Sequence, residues 1–140
     1  TRSPFFINAS MPPREAMAAS VMNNLGQVAS ASEDFESAAE WHRKAIHALV
    51  ERLGPDHAHV GKTHKLLCKA LDSAGRYAAA RDACTEALDI LQQAHGERHE
   101  EVADSLRTLA DVTDKLGQTE EAATYRKRAM TMLPDPDRAK

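Results

Sequence analysis

Apolar residues recur along this chain at spacings of three and four, which places them on one face of a helix. A first stripe comprises Met17, Val21, Leu25 and Val28. A second comprises Phe35, Ala38, Ala45, Ile46 and Leu49. The strict alternation of apolar and polar residues that is typical of strands is absent, and no hairpin dipeptide occurs. The hydrophobic pattern therefore predicts an all-α protein.

Helix-ending and helix-starting residues divide this pattern into six helices. We expect Ser32 and Asp56 to cap the second and third helices, because short polar side chains bond free N–H groups at helix starts. Gly54 should end the second helix as a left-handed cap. The predicted helices run from about 13 to 29, 33 to 53, 57 to 74, 77 to 95, 98 to 116 and 119 to 133.

The helices repeat with a period of 42 residues. Leu25, Leu67 and Leu109 keep this step. Small residues keep it too, in the sets Gly26, Cys68 and Ala110; Ala38, Ala80 and Ala122; and Ala45, Ala87 and Ala129. A fixed period of this length is typical of a solenoid, and small side chains let paired helices approach closely. We therefore predict an α-solenoid of three antiparallel helix hairpins.

Particular residues of the repeat resemble the tetratricopeptide repeat (TPR) family. The second repeat has Leu67-Cys68, Gly75-Arg76-Tyr77, Ala80 and Ala87 at the family's positions. The sequence Leu-Gly-Pro-Asp-His-Ala-His-Val at 53–60 resembles the join between repeats of the kinesin-light-chain subtype. The resemblance implies a TPR superhelix over 13–134, with repeats at about 19–60, 61–102 and 103–134. Residues 1–12 would then be an N-terminal arm or upstream remnant, and 135–140 a tail.

The resemblance also implies a function, namely protein–protein interaction through a concave groove lined by the first helix of each repeat. The predicted lining residues are Asn23, Asn24, Gln27, Lys62, Lys65, Lys69, Arg107, Thr108 and Asp111, with Asp72 and Asp114 nearby. The three lysines of this set share one helix face, so we expect an acidic peptide partner. The alternative is an ordinary solvated charged face. A second hypothesis is a regulatory or sensor module of a larger signalling protein.

Composition narrows the partners further. The net charge of −3 does not indicate nucleic acid. No apolar run is long enough to cross a bilayer, and no signal peptide is recognisable. Cys68 and Cys84 lack metal-type spacing, and we expect reduced, buried thiols in a cytoplasmic protein. The chain does not begin with Met, so we expect a domain of a longer protein.

Enzymatic and metal sites are not predicted. Seven histidines are present, but zinc requires three or four convergent ligands. His57 and His99 recur with the repeat, which favours capping or packing between repeats. His99-Glu100-Glu101 lacks the second histidine of a metalloprotease motif, and no phosphate-binding loop occurs. We therefore expect no cofactor and no catalysis. Self-association through an uncapped end of the array is a further expectation.

Overall fold

The computed structural model describes residues 14–96 and 99–132 and contains six helices in that part of the chain. They are α1 (Arg14–Ala31), α2 (Phe35–Leu53), α3 (Ala58–Ser73), α4 (Tyr77–His95), α5 (Glu100–Lys115) and α6 (Thr119–Met132). Helices α1 and α2, α3 and α4, and α5 and α6 form hairpins, and α3 and α5 pack on the second helix of the preceding hairpin. The predicted all-α solenoid is confirmed.

The start of α2 differs from the prediction. Asp34 rather than Ser32 is the N-cap, and its carboxylate accepts a hydrogen bond from the Ser37 N–H at 3.3 Å. Glu33, which was expected to be helical, lies in the connecting turn with a φ of 62°. A turn that requires this left-handed residue displaces the cap two positions along the chain.

A histidine is the N-cap of α3 and of α5, the first helices of the second and third hairpins. His57 Nδ1 accepts the His59 N–H at 3.1 Å, and His99 Nδ1 accepts the Glu101 N–H at 3.0 Å. The predicted Asp56 cap is wrong, because the imidazole of His57, one residue later, supplies the acceptor for the free N–H. The repeat-locked histidines do serve as caps, as their period suggested.

Glycine ends the helices where the chain needs a positive φ. Gly54 has a φ of 89°, and its N–H still bonds to the Val50 carbonyl. Its ψ of 159° lies outside the left-handed helical region, so the predicted left-handed cap is corrected to an extended glycine. The backbone here follows a path that L-residues rarely adopt.

Small residues are buried between the paired helices of the hairpins. The repeat-related alanines at 38, 80 and 122 are fully buried, as are those at 45 and 87. The large core residues lie mainly on α4 and α5 and include Leu91, Leu106 and Leu109. The prediction that these small residues lie between the paired helices is confirmed.

The apolar stripe of α1 is the exception. Met17, Val21, Leu25 and Val28 are all exposed, and among residues 17–31 of this helix only Ala19 and Gly26 are buried. The helical spacing was predicted correctly, but no described element covers this face. Helical periodicity identifies an apolar face without saying whether anything packs on it.

None of the helices within the described ranges combines the length and the apolar character that crossing a bilayer requires.

Candidate peptide-binding face

Helices α1, α3 and α5, the first helices of the three hairpins, lie side by side. We call the surface that they form the first-helix face. Asn23 on α1 bonds to Thr63 on α3, and Lys65 on α3 bonds to Glu101 on α5. Because these contacts run from helix to helix, the structure brings the sequence-predicted lining residues onto adjacent helices.

Asn23 belongs to a chain of hydrogen bonds beneath this face. His42 Nδ1 and Asn23 Oδ1 are 2.8 Å apart, and the Asn23 amide donates to Thr63 Oγ1 at 3.1 Å. The Thr63 hydroxyl in turn donates to the His59 carbonyl at 2.9 Å. Since the Asn23 amide group is the donor to Thr63, its oxygen is the acceptor, and His42 carries its proton on Nδ1. The side-chain polar groups of Asn23 are therefore engaged within the protein.

Lys65 is the most enclosed of the predicted lysines, with a side chain that is 12% exposed. Its Nζ lies 2.8 Å from Glu101 Oε2 and 2.9 Å from Asp104 Oδ2. Burial alone would lower the pKa of Lys65, but the hydrogen bonds to the two carboxylates raise it. The hydrogen bond from Lys65 is also the main reason that the pKa of Glu101 is lowered. Lys65 therefore joins the second and third hairpins.

Two further cations, which are more exposed than Lys65, also lie beside Asp104. Lys69 Nζ lies 3.1 Å from Asp104 Oδ2, and an Arg107 guanidinium nitrogen lies 3.8 Å from its other oxygen. Burial would raise the pKa of Asp104, but the hydrogen bonds from Lys65 and Lys69 outweigh it and lower the pKa. Three cations thus surround one carboxylate, which leaves excess positive charge at the surface.

Some predicted residues remain accessible. Asn24, Gln27 and Lys62 are exposed. Lys62 forms no ion pair with any residue in the described ranges, although its charge helps to lower the pKa of Glu101. These three side chains and the partly exposed Lys69 and Arg107 can meet a ligand directly.

At the end of the first-helix face that carries Asp72, Asp111 and Asp114, ion pairs within the protein neutralise the charges of these carboxylates. Arg126 on α6 lies 2.9 Å from Asp111 and 2.6 Å from Asp114. Lys115 pairs with Asp72 at 2.6 Å. Thr108 is buried, and its hydroxyl donates to the Asp104 carbonyl at 3.0 Å. The predicted residues at this end thus contribute less free charge than the lysines of α3.

The sequence interpretation missed Glu101 and Asp104 as members of this surface. Their spacing of three residues places them on one face of α5, opposite the lysines of α3. That match of charges was the available signal.

A separate open cavity of about 390 Å³ lies away from this face, between α2, α3 and α4. Its apolar lining is Leu67, Leu71, Ala79 and Ala83, and its polar lining is Arg43, His64, Asp82 and Glu86. His64 Nδ1 is buried without a hydrogen-bond partner in the described structure. Burial lowers the pKa of His64, and the nearby Glu86 partly opposes this change.

The two cysteines differ from the prediction in their oxidation state. Cys68 on α3 and Cys84 on α4 are fully buried and form a disulfide, so the expected reduced thiols are not what the structure contains. Their positions were predicted correctly, since both face the interior of the second hairpin. The sequence indicates two buried positions, but they are 16 positions apart on different helices, and the pattern within one helix does not show that they pair.

The part of the chain that the structure describes holds no group of three or more His, Cys, Asp or Glu side chains arranged to bind a metal ion.

Sequence comparison identifies the class of protein. Profiles described as "Tetratricopeptide repeat" match residues 63–135 and residues 18–59. The first of these covers more than half of the chain, so the chain belongs to the tetratricopeptide repeat family. It is accordingly a protein–protein interaction module. No curated protein sequence matches the chain.

Solved structures agree on the fold. BtubC (BKLC) from P. vanneervenii has a TM-score of 0.80 at 21% identity, over 94% of this chain and 56% of that one. Nearly identical TPR-like repeats of a putative kinesin light chain from Podospora anserina have a TM-score of 0.73 at 16% identity, over 88% and 59%. The N-terminal domain of stress-induced protein-1 from C. elegans has a TM-score of 0.72 at 18% identity, over 89% and 91%.

These likenesses show that the chain shares its fold with the TPR-like repeats of a putative kinesin light chain. The chain spans little more than half the length of BtubC.

Proposed function

We propose that the chain binds an extended acidic peptide segment of a partner protein on the first-helix face. The observation that carries the proposal is the charge around α3. Lys62, Lys65, Lys69 and Arg107 supply four positive charges there, against the two negative charges of Glu101 and Asp104. A carboxylate from a ligand would complete this arrangement.

The residues that meet the peptide are the accessible ones. Lys62 has no carboxylate partner among the described residues and offers an uncommitted cation. Asn24 and Gln27 offer amide donors and acceptors that suit a peptide backbone. Lys65 and Asn23 act as positioning residues, because their polar groups hold the neighbouring helices in place. Preorganised helices lower the ordering cost of binding.

The experiment is a selection of ligands from two pools of short random peptides, one with fixed glutamates and one with lysines at the same positions. We expect enrichment from the glutamate pool only, and binding of the selected peptides should weaken as salt is added. Enrichment from the lysine pool alone would overturn the acidic preference.

Variants of the selected complex then locate the site. Lys62→Ala should weaken binding by roughly two- to fivefold, the effect of removing one exposed charge contact. Lys127→Ala is the matched control, because Lys127 is an exposed lysine on α6. Equal losses in both variants would indicate a non-specific charge effect rather than a site.

A cytoplasmic location also remains our proposal, and the cysteines provide its test. Cytosolic thiols are normally kept reduced, whereas the structure contains the Cys68–Cys84 disulfide. The native protein should be denatured in N-ethylmaleimide without reductant and then weighed by mass spectrometry. Alkylation of both cysteines would support the cytoplasm. An unmodified chain would place the protein in an oxidising compartment.

The last proposal is that copies associate through the ends of the array. The exposed apolar side chains of α1 support it.

A further inference from the structure

The exposed large apolar side chains of the described chain lie only on the first and last helices. Four are on α1 and one, Met130, is on α6. None lies on the helices between them. The exposure of apolar surface is therefore a property of the two ends of the described array.

The repeat shows what normally covers the α1 side chains. Val21 is 56% exposed, whereas its repeat equivalents Thr63 and Ser105 are 2% and 0% exposed. Leu25 is 39% exposed, whereas Leu67 and Leu109 are 7% and 1% exposed.

Val28 follows the same rule, since its equivalents Ala70 and Val112 are buried. The helices that carry these equivalents, α3 and α5, each pack on the second helix of the preceding hairpin. A second helix of this type is therefore the element that fits the exposed face of α1.

The chain presents such a second helix at its other end. Met130 on α6 is 78% exposed, whereas Leu88, its equivalent on α4, is 6% exposed. The next first helix, α5, packs on α4. The exposed faces of α6 and α1 thus correspond to the two surfaces, on α4 and α5, that pack together between successive repeats.

We infer that copies of this chain stack head to tail, with α1 of one copy packed on α6 of the next. The inference rests on the proposed association through the ends and specifies its faces and polarity. The contact reproduces the α4–α5 joint between copies. Because the two faces differ, the contact is heterologous and gives open rows rather than a closed dimer.

The driving force is apolar. At the repeat positions of Glu101 and Asp104, α1 carries Met17 and Ser20, so the ion pairs of the α3–α5 joint have no counterpart across the new contact. Added salt should therefore leave the association unchanged or strengthen it. Acidic peptide binding should respond to salt in the opposite direction, which separates the two proposals experimentally.

The first experiment is sedimentation velocity of the 140-residue chain from micromolar to millimolar concentration. We expect the mean mass to rise continuously with concentration. A monomer throughout would overturn both the association and the stacking, while leaving peptide binding untouched.

The second experiment uses one charged variant at each end. Val21→Glu on α1 and Met130→Glu on α6 should each weaken association by roughly tenfold or more, because each removes apolar burial and buries a charge. Thr131→Glu, at an exposed neighbouring position on α6, and Thr85→Glu, at an exposed position on α4, are the matched controls and should retain wild-type association. Circular dichroism checks that all four variants fold.

The decisive step is to mix the two end variants. Each retains one intact face, so the mixture should form a heterodimer and no larger species. Association that survives both variants, or a mixture that remains monomeric while each control associates, would overturn the head-to-tail assignment. Loss of association in the Val21 variant alone would indicate a symmetric α1–α1 contact instead.

Discussion

Gly26 packs directly against the imidazole of His42, and a Cβ at position 26 would lie 2.6 Å from His42 Cε1. The equivalent positions in the next repeat are Cys68 and Cys84, which are joined by the disulfide. The same pair of repeat positions thus holds a glycine packed against a histidine in the first hairpin and a disulfide bond in the second.

The Gly26 contact predicts that Gly26→Ala destabilises the chain. The ring cannot move freely, since Asn23 holds it, and overpacking of this kind costs about 1–3 kcal/mol. Urea unfolding measures the loss. Gln27→Ala, at an exposed position on the same helix, should change the free energy of unfolding little. Equal stability of Gly26→Ala and wild type would contradict the described contact.

Asn23→Ala should be destabilising because it leaves His42 Nδ1 and Thr63 Oγ1 without Asn23 as their partner. Loss of a part-buried hydrogen-bonded group costs about 1–3 kcal/mol. Asn24→Ala is the control, because Asn24 is exposed. Thermal unfolding compares the two neighbouring substitutions, and equal melting temperatures would argue against the network.

His42 should make the stability depend on pH. Burial lowers the pKa of His42 in the folded protein, whereas the unfolded chain has a value of roughly 6.5. A lowered folded pKa means that the contribution to stability is complete above the unfolded pKa. It is lost as the pH falls from there through the folded pKa.

The measurement is urea unfolding at pH values from neutral to about 5. His42→Gln should have a shallower pH dependence than wild type over this range. The lowered pKa of His64 adds a contribution of the same sign, so some slope should remain. The carboxylates Glu101 and Asp104 lose their contribution only at lower pH, because their pKa values are lowered. Identical slopes in the two proteins would refute the role of His42.

Reduction of the Cys68–Cys84 disulfide should lower the stability by about 2–4 kcal/mol, the usual effect of opening a loop of this size. Calorimetry with and without dithiothreitol measures the change. The Cys68→Ala/Cys84→Ala variant is the control, because its melting temperature should not respond to dithiothreitol. A response of the double variant equal to that of wild type would show that the reductant acts elsewhere.

The repeat made most of the fold predictable. Leu67 and Leu109 were expected in the core and lie there, because each has a preceding second helix to pack on. Leu25 has the same sequence signal but no such neighbour in the described structure, so it is exposed. A local pattern cannot report whether the element that would cover it is present.

The candidate face was predictable in position but not in its internal contacts. Lys65 and Lys69 were expected side by side and are so, since helical spacing alone dictates it. Their pairing with Asp104 depends on how α3 and α5 pack, and spacing within one helix does not determine that. The oxidation of Cys68 was missed for the same reason, because its partner lies on another helix.

The most direct test of peptide binding on the first-helix face is an NMR titration of the labelled chain with a glutamate-rich peptide from the selection. The account predicts amide shift changes at Asn24, Gln27 and Lys62 and along neighbouring parts of α5, with little change on α2 and α4. Changes concentrated around Asp82 and Glu86, at the cavity between α2, α3 and α4, would contradict it.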